Sequence, residues 1–277
     1  MAIALASGML AWSQTLPFEP AHDSGSSVTG AFEGWFRNPD GSFSLLLGYF
    51  NRNEKQEVDV PIGPYNRIEP GGPDRGQPTH FLPGRGWGLF TVKVPADFGQ
   101  NRLTWTIAAN GKTTVIPAYL HTDYEISPFH EVAVGNTPPV LRFDEKGPSV
   151  QGPGGLSVER SAKLGNPLRL AVWVSDDAKW TTNSGARPKT LGPPVTLRWT
   201  KYRGPGTVTF DNARPAAEKA EPLDAAAVFS GSAATTVTFS EPGQYVLHVV
   251  ANDYSGDGGG GFQCCWTSGQ VKVSVEP

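Results

Sequence analysis

Between Val195 and Val275 apolar and β-branched residues alternate with polar ones at a period of two, and Pro-Gly pairs punctuate the alternation. The runs Thr207-Val208-Thr209-Phe210, Thr235-Thr236-Val237-Thr238-Phe239, Gln244-Tyr245-Val246-Leu247-His248-Val249 and Val271-Lys272-Val273-Ser274-Val275 each set one apolar face against one polar face. A period of two puts successive side chains on opposite sides of an extended chain, so these runs predict half-buried antiparallel strands closing into a sandwich. Composition agrees: 33 Gly and 25 Pro against 2 Met suit many short strands joined by turns. A chain of 277 residues is long enough for two such domains, each with its own core.

The first half carries the same pattern. Val28 to Phe36 and Ser42 to Phe50 read as strands joined by the turn Asn38-Pro39-Asp40-Gly41. Val58-Asp59-Val60-Pro61-Ile62 reads as an edge strand, because Pro61 cannot donate to a central ladder. The segment from Ile68 to Gly88 is dense in Gly and Pro and reads as a stiffened surface loop. Leu89 to Val94 resumes the alternation, and Leu103 to Ala109, Asn110-Gly111 and Lys112 to Ile116 form a second hairpin on the favoured two-residue turn. The expected organisation is an N-terminal segment 1–23, a first β-sandwich over 24–125, a linker over 126–139 closing on Thr137-Pro138-Pro139, and a second β-sandwich over 140–277. In the second domain Leu168 to Val174 is the clearest early strand. Insertions at 178–194, 212–233 and 254–270 interrupt the pattern. The middle one, around Arg214 to Glu221, is where a short helix is expected.

The closing strands, with Trp199 ahead of Arg203-Gly204-Pro205-Gly206-Thr207-Val208-Thr209-Phe210 and then Phe239-Ser240-Glu241-Pro242-Gly243-Gln244-Tyr245-Val246-Leu247, resemble PKD-like and other immunoglobulin-like modules of bacterial surface proteins. That resemblance implies an all-β protein of two immunoglobulin-like antiparallel sandwiches in tandem with long Gly/Pro-rich loops, and a scaffold or binding surface rather than an enzyme. The first half, at Glu33 to Phe43 and Glu69 to Phe81, is similar to exported bacterial proteins of unassigned function, which implies export.

Net charge is −3, from 26 acidic and 23 basic residues, and no basic cluster exists to hold nucleic acid or an anionic membrane. Met1 to Trp12 is apolar, like the core of a secretory signal without its positive start, and too short to span a bilayer. It is either a signal remnant or a retained, membrane-proximal docking arm. The adjacent Cys264 and Cys265 cannot staple distant strands, and read as unpaired or locally paired thiols in a loop.

For chemistry, Asp176, Asp177, Asn252, Asp253 and Asp257 are the candidate metal ligands: oxygen donors at strand ends, suited to calcium. His121, Asp123 and His130 offer two imidazoles and a carboxylate in the bridge between domains. No nucleophile elbow and no His-Glu-x-x-His motif is present, and Gly258 to Gly261 lacks the Lys-Ser or Lys-Thr of a phosphate loop. Trp105, Trp173 and Trp199 fall in strands and are expected in cores. Trp87, Trp180 and Trp266 fall in loops and, with Arg85 and Phe262, form the candidate partner-binding set, since aromatics and Arg dominate interface hot spots.

The expected function is that of a non-catalytic exported structural or interaction protein, periplasmic or on the cell surface, docking onto other envelope or membrane-complex proteins. One instance would be an accessory periplasmic subunit of a photosynthetic reaction-centre complex. The alternatives are a carbohydrate-binding or adhesion protein that stacks sugars on the loop tryptophans, and a hydrolase with an interdomain site near His121, Asp123 and His130.

Overall fold

A computed structural model of the chain describes residues 22–180, 190–221, 227–257 and 264–277. The apolar N-terminal stretch, the Gly258 to Gly261 run and Phe262 lie outside them. Among the described residues there is no α-helix, and the chain is an all-β protein with two cores.

The first half contributes β1 (Val28–Arg37), β2 (Phe43–Asn51), β3 (Val58–Asp59), β4 (Asn66–Glu69), β5 (His80–Phe81), β6 (Gly84–Val94), β7 (Arg102–Ala109) and β8 (Lys112–Tyr119). Sheets β1-β2-β6 and β4-β7-β8 face each other, and β3 pairs with β5 beside them. Trp105, Phe81, Ile68, Ile107 and Leu45 fill the space between. Phe90 meets the Trp105 ring edge-on at 5.3 Å. The buried Trp105 Nε1 donates to Asn66 Oδ1 at 3.0 Å, while Asn66 Nδ2 donates to the carbonyls of Val60 and Pro78. One asparagine thus satisfies the core indole and ties Val60, ahead of the Gly/Pro-rich loop, to Pro78 in the middle of it.

The second half contributes β9 (Val140–Arg142), β10 (Ser149–Gln151), β11 (Leu156–Lys163), β12 (Leu168–Asp176), β13 (Thr196–Arg203), β14 (Val208–Phe210), β15 (Glu218–Lys219), β16 (Phe229–Phe239), β17 (Gly243–Asn252) and β18 (Trp266–Glu276). They form an immunoglobulin-like sandwich of two sheets. One is ordered β10-β9-β12-β16-β14 with β15 on β16, the other β11-β18-β17-β13, in which β11 runs parallel to β18. Trp199, Tyr245, Leu247 and Val172 are buried between them. The Arg203-Gly204-Pro205-Gly206 run has a local cause. A Cβ at Gly204 would lie 2.1 Å from the Tyr245 ring, so only glycine lets the chain pass over it. The Tyr245 hydroxyl then accepts from Gly206 N at 3.1 Å and donates to Glu241 O at 2.8 Å.

Several expectations fail. The segment expected to be helical holds β15, whose Glu218 and Lys219 pair with Ser232 and Gly231 on the edge of β16. Trp173 is only half-buried, because β12 turns Val172 and Val174 inward and the indole out.

The bridge between the cores is packed. Ile126 N donates to Trp35 O at 2.9 Å, Trp35 Nε1 donates to His121 O at 2.7 Å, and Phe129 meets Phe36 edge-on. The Gly/Pro-rich segment, expected as a stiffened surface loop, is docked on β13. Thr79 N donates to Tyr202 O, the Tyr202 hydroxyl donates to Gly76 O at 2.7 Å, and Arg203 pairs with Asp74 through two hydrogen bonds of 2.9 and 2.8 Å.

Candidate functional site

Where the halves meet, a recess of about 70 Å3 opens. The second domain supplies Arg198 and Tyr202 from β13, His248 and Asn252 from β17, and Trp266 at the start of β18; the first supplies Tyr49, Arg85 and Trp87. Alternation explains the second set: 248, 250 and 252 share the face of β17 opposite to Leu247, Val249 and Ala251, which are in the core.

The geometry of the mouth is fixed from below. Glu33, buried in β1, pairs with Arg85 and accepts from Gly88 N at 2.8 Å. Burial pushes its carboxyl above the usual range, against the opposing pull of Arg85 and the Gly88 amide. The Arg85 guanidinium, so braced, lies 4.3 Å from the centre of the Trp87 ring, and Trp87 remains 46% exposed. Deeper in, burial takes the Tyr49 hydroxyl to about 12 and holds the His248 imidazole down at about 4, so His248 is neutral at physiological pH. Among the described residues its Nε2 has no hydrogen-bond partner, nor has Asn252 Oδ1. Lys201, on the same stretch of β13, bonds Asp59 at 3.3 Å, and Asp59 Oδ1 lies 2.9 Å from His80 Nδ1. Arg198 has no ion pair or hydrogen bond to a described residue.

A second polar cluster sits where the bridge enters the second domain. Asp176 ends β12 and Asp253 follows β17. Asn136 Nδ2 donates to Asp253 Oδ2 at 2.7 Å, Ala178 N to Asp176 Oδ1 at 2.7 Å, and Ser255 N to Asp253 Oδ1 at 2.7 Å. Asp177 accepts from Thr137 N and Oγ1 at 3.2 and 3.1 Å and lies 3.5 Å from Lys179 Nζ. Burial, reinforced by Asp253 and Asp177, raises the Asp176 carboxyl to about 8; burial raises Asp253 to about 6 against its hydrogen bonds to Ser255 and Asn136. Cys264 and Cys265 are joined as a disulfide and buried beside this cluster, with Cys265 Sγ 3.7 Å from Asn136 O.

No protein-family model matches the chain, and no curated protein matches it. Solved structures similar to it include domains 4 and 5 of the S-layer protein SbsC, at 12% identity and TM-score 0.26, spanning 64% of this chain and 66% of that one. A chimeric titin Z1Z2 carrying an exogenous peptide from decorin is 10% identical with TM-score 0.24, over 91% and 99% of the two chains. The cadherin-like domains 1 to 4 of zebrafish RET are 13% identical with TM-score 0.26, over 81% and 46%.

The residues singled out from sequence divide between these places. Arg85, Trp87 and Trp266 come together at the recess, but neither tryptophan is a loop residue: Trp87 lies in β6, and Trp266 is the first residue of β18 and 1% exposed. Trp180 lies apart, tilted against Tyr254 at 5.4 Å. The five calcium candidates split. Asp176, Asp177 and Asp253 gather at the bridge. Asn252 instead donates to Asp257 Oδ1 at 3.1 Å, and both line the recess. His121 and Asp123 sit on an exposed turn, and neither they nor His130 line the recess. Sequence reasoning passed over Arg198, His248 and Asn136. All three are polar residues at positions where an extended chain is expected to meet solvent.

Proposed function

We propose that this protein is a non-catalytic exported interaction protein whose partner, another envelope or membrane-complex protein, docks at the domain junction. The observation that carries the reading is Trp87: a half-exposed indole held rigid by a braced arginine, at the mouth of a recess lined by an Arg198 guanidinium that pairs with no described residue. Pre-positioned aromatic and arginine side chains lose little entropy when a partner covers them, which is why they anchor interfaces. The Cys264–Cys265 disulfide supports export, since disulfides persist in oxidising compartments. A protein partner accounts for this surface better than a sugar platform of three tryptophans, because Trp266 is buried and Trp180 faces Tyr254. Purification from native membranes under gentle detergent, with the tagged wild type beside Trp87→Ala and Arg198→Glu, tests the reading. A partner retained by the wild type and lost from both variants is expected; a lone monomer, or equal retention by all three, overturns it.

A further inference from the structure

We propose that Asp176, Asp253 and the side-chain oxygen of Asn136 form a calcium site that fastens the interdomain bridge to the second domain. Three separate parts of the chain converge there: the bridge through Asn136, the end of β12 through Asp176, and the residue after β17 through Asp253. The cluster gathers more carboxyl groups than the described residues around it supply cations for. Lys179 bonds Asp177 and Gly135 O, and neither Asp176 nor Asp253 pairs with a cation among the described residues. Two oxygens within it have no hydrogen-bond partner among the described residues: Asp176 Oδ2, on a residue 4% exposed, and Asn136 Oδ1, on a residue 0% exposed. Buried acceptors are ordinarily satisfied, so orphans in a negatively charged cluster point to a missing positive ligand. Glu131, whose backbone pairs with Asn136, carries a further buried orphan, Oε1.

The donor set selects the cation. All available atoms are hard oxygens, and Cys264 and Cys265, joined to each other, offer no thiolate, which disfavours zinc. Among the described residues no three His, Cys, Asp or Glu side chains are grouped as a metal site. The site proposed is two carboxylates with an amide oxygen, completed by backbone carbonyl or water, a mixed cage that calcium tolerates and the stricter octahedral magnesium does not. Asn136 presents its amide nitrogen to Asp253. Because the amide's two ends have nearly the same shape, a flip brings Oδ1 round with little repacking.

The test uses the full chain, freed of metal by chelation and titrated with calcium chloride by calorimetry and in thermal unfolding. One saturable site is expected, with a dissociation constant on the order of 10⁻⁴–10⁻³ M, as in extracellular calcium modules, together with a higher Tm and a weaker response to magnesium chloride. Asp176→Asn and Asp253→Asn should each weaken binding on the order of tenfold or more. The Tm of each variant without metal is read first, and Asn at 176 keeps the bond from Ala178 N available. Should one variant fail to fold, the other and the wild-type titration still decide. Absence of heat and of any Tm change with calcium, an equal response to magnesium, or wild-type affinity in the folded variants would overturn the site. None of these outcomes depends on the partner proposed at the recess.

Discussion

The indole of Trp266 donates from Nε1 to the carbonyl of Gly88 at 3.3 Å and occupies the space where a side chain at residue 88 would begin, since a Cβ there would lie 2.1 Å from the ring. The two domains therefore lock through a backbone position that tolerates no side chain. Gly88 also holds a φ of +47°, which L side chains rarely adopt. Gly88→Ala is expected to cost about 1–3 kcal/mol from overpacking, added to the backbone strain. Gly41→Ala, at a φ of +82° with open space, incurs the backbone term alone. Denaturant unfolding of the two variants separates the clash from the strain.

The Asp74–Arg203 pair is the charged half of the same interface. Arg203 also donates Nε to Gln77 O at 2.9 Å, so its removal strips a buried carbonyl as well as an exposed carboxylate. Arg203→Ala should cost about 1.5–3 kcal/mol, Asp74→Ala only about 0.5–1 kcal/mol because Asp74 is half exposed. The hydrogen bonds from Arg203 hold the Asp74 carboxyl below its usual range. Its contribution is therefore fully present above the ordinary carboxylate pKa and fades as pH falls through the folded value. A double-mutant cycle at neutral pH and again in mild acid measures both effects; a coupling that grows on acidification contradicts the assignment.

The strands of both domains were legible because a period of two survives whatever lies on either side of a sheet. β17 and β18 show it in the sequence as plainly as in the fold. What that period cannot reveal is whether the polar face of a strand meets water or another domain. Arg198, His248 and Asn252 look like solvent-facing residues, and the recess depends on their being covered by the first domain instead. β11 escaped notice for a related reason: its inward positions are Leu156, Val158, Arg160 and Ala162, weakly apolar, and its parallel partner β18 lies at the far end of the chain. The Ala, Glu and Lys around 214–221 favour a helix on intrinsic grounds. The unpaired edge of β16 takes Glu218 and Lys219 as a strand instead. Trp266 follows a Gly run and two cysteines and so resembles loop sequence, although it begins a strand. The acidic residues at the ends of β12 and β17 were legible as strand ends; that Asn136 of the bridge closes over them was not.

Trp87 and Glu33 should respond oppositely to truncation. Trp87→Ala removes a half-exposed ring and one contact with Arg85, so stability should fall by no more than about 1 kcal/mol while partner retention is lost. Glu33→Ala leaves the Arg85 guanidinium without its buried partner and should cost about 3–5 kcal/mol. Urea unfolding of the two variants, run beside the membrane purification, checks the contrast. A Trp87→Ala loss as large as that of Glu33→Ala would mean the indole is structural rather than presented.

Asp176 makes stability depend on pH in the direction opposite to Asp74. Its folded value of about 8 stands above the ordinary 3.8. Its neutral form is the one the fold accommodates, so its contribution is fully present below the unfolded value and is lost as pH rises through the folded one. Each pH unit within that window removes up to about 1.4 kcal/mol. Asp253, raised to about 6, acts in the same direction over the lower part of the window. Metal-free protein is thus expected to lose stability steadily from mild acid to pH 8. Asp176→Asn should flatten the profile and exceed wild-type stability at the alkaline end, since an amide keeps the shape and sheds the charge. Saturating calcium should flatten it in the wild type as well, because the cation supplies in alkali the compensation that protons supply in acid. Thermal unfolding of both proteins across this pH range, with chelator and with calcium, distinguishes the cases. A wild-type profile that is flat in chelator, or a variant profile that still falls with pH as steeply as the wild type, would show that the buried carboxylate at 176 does not govern it.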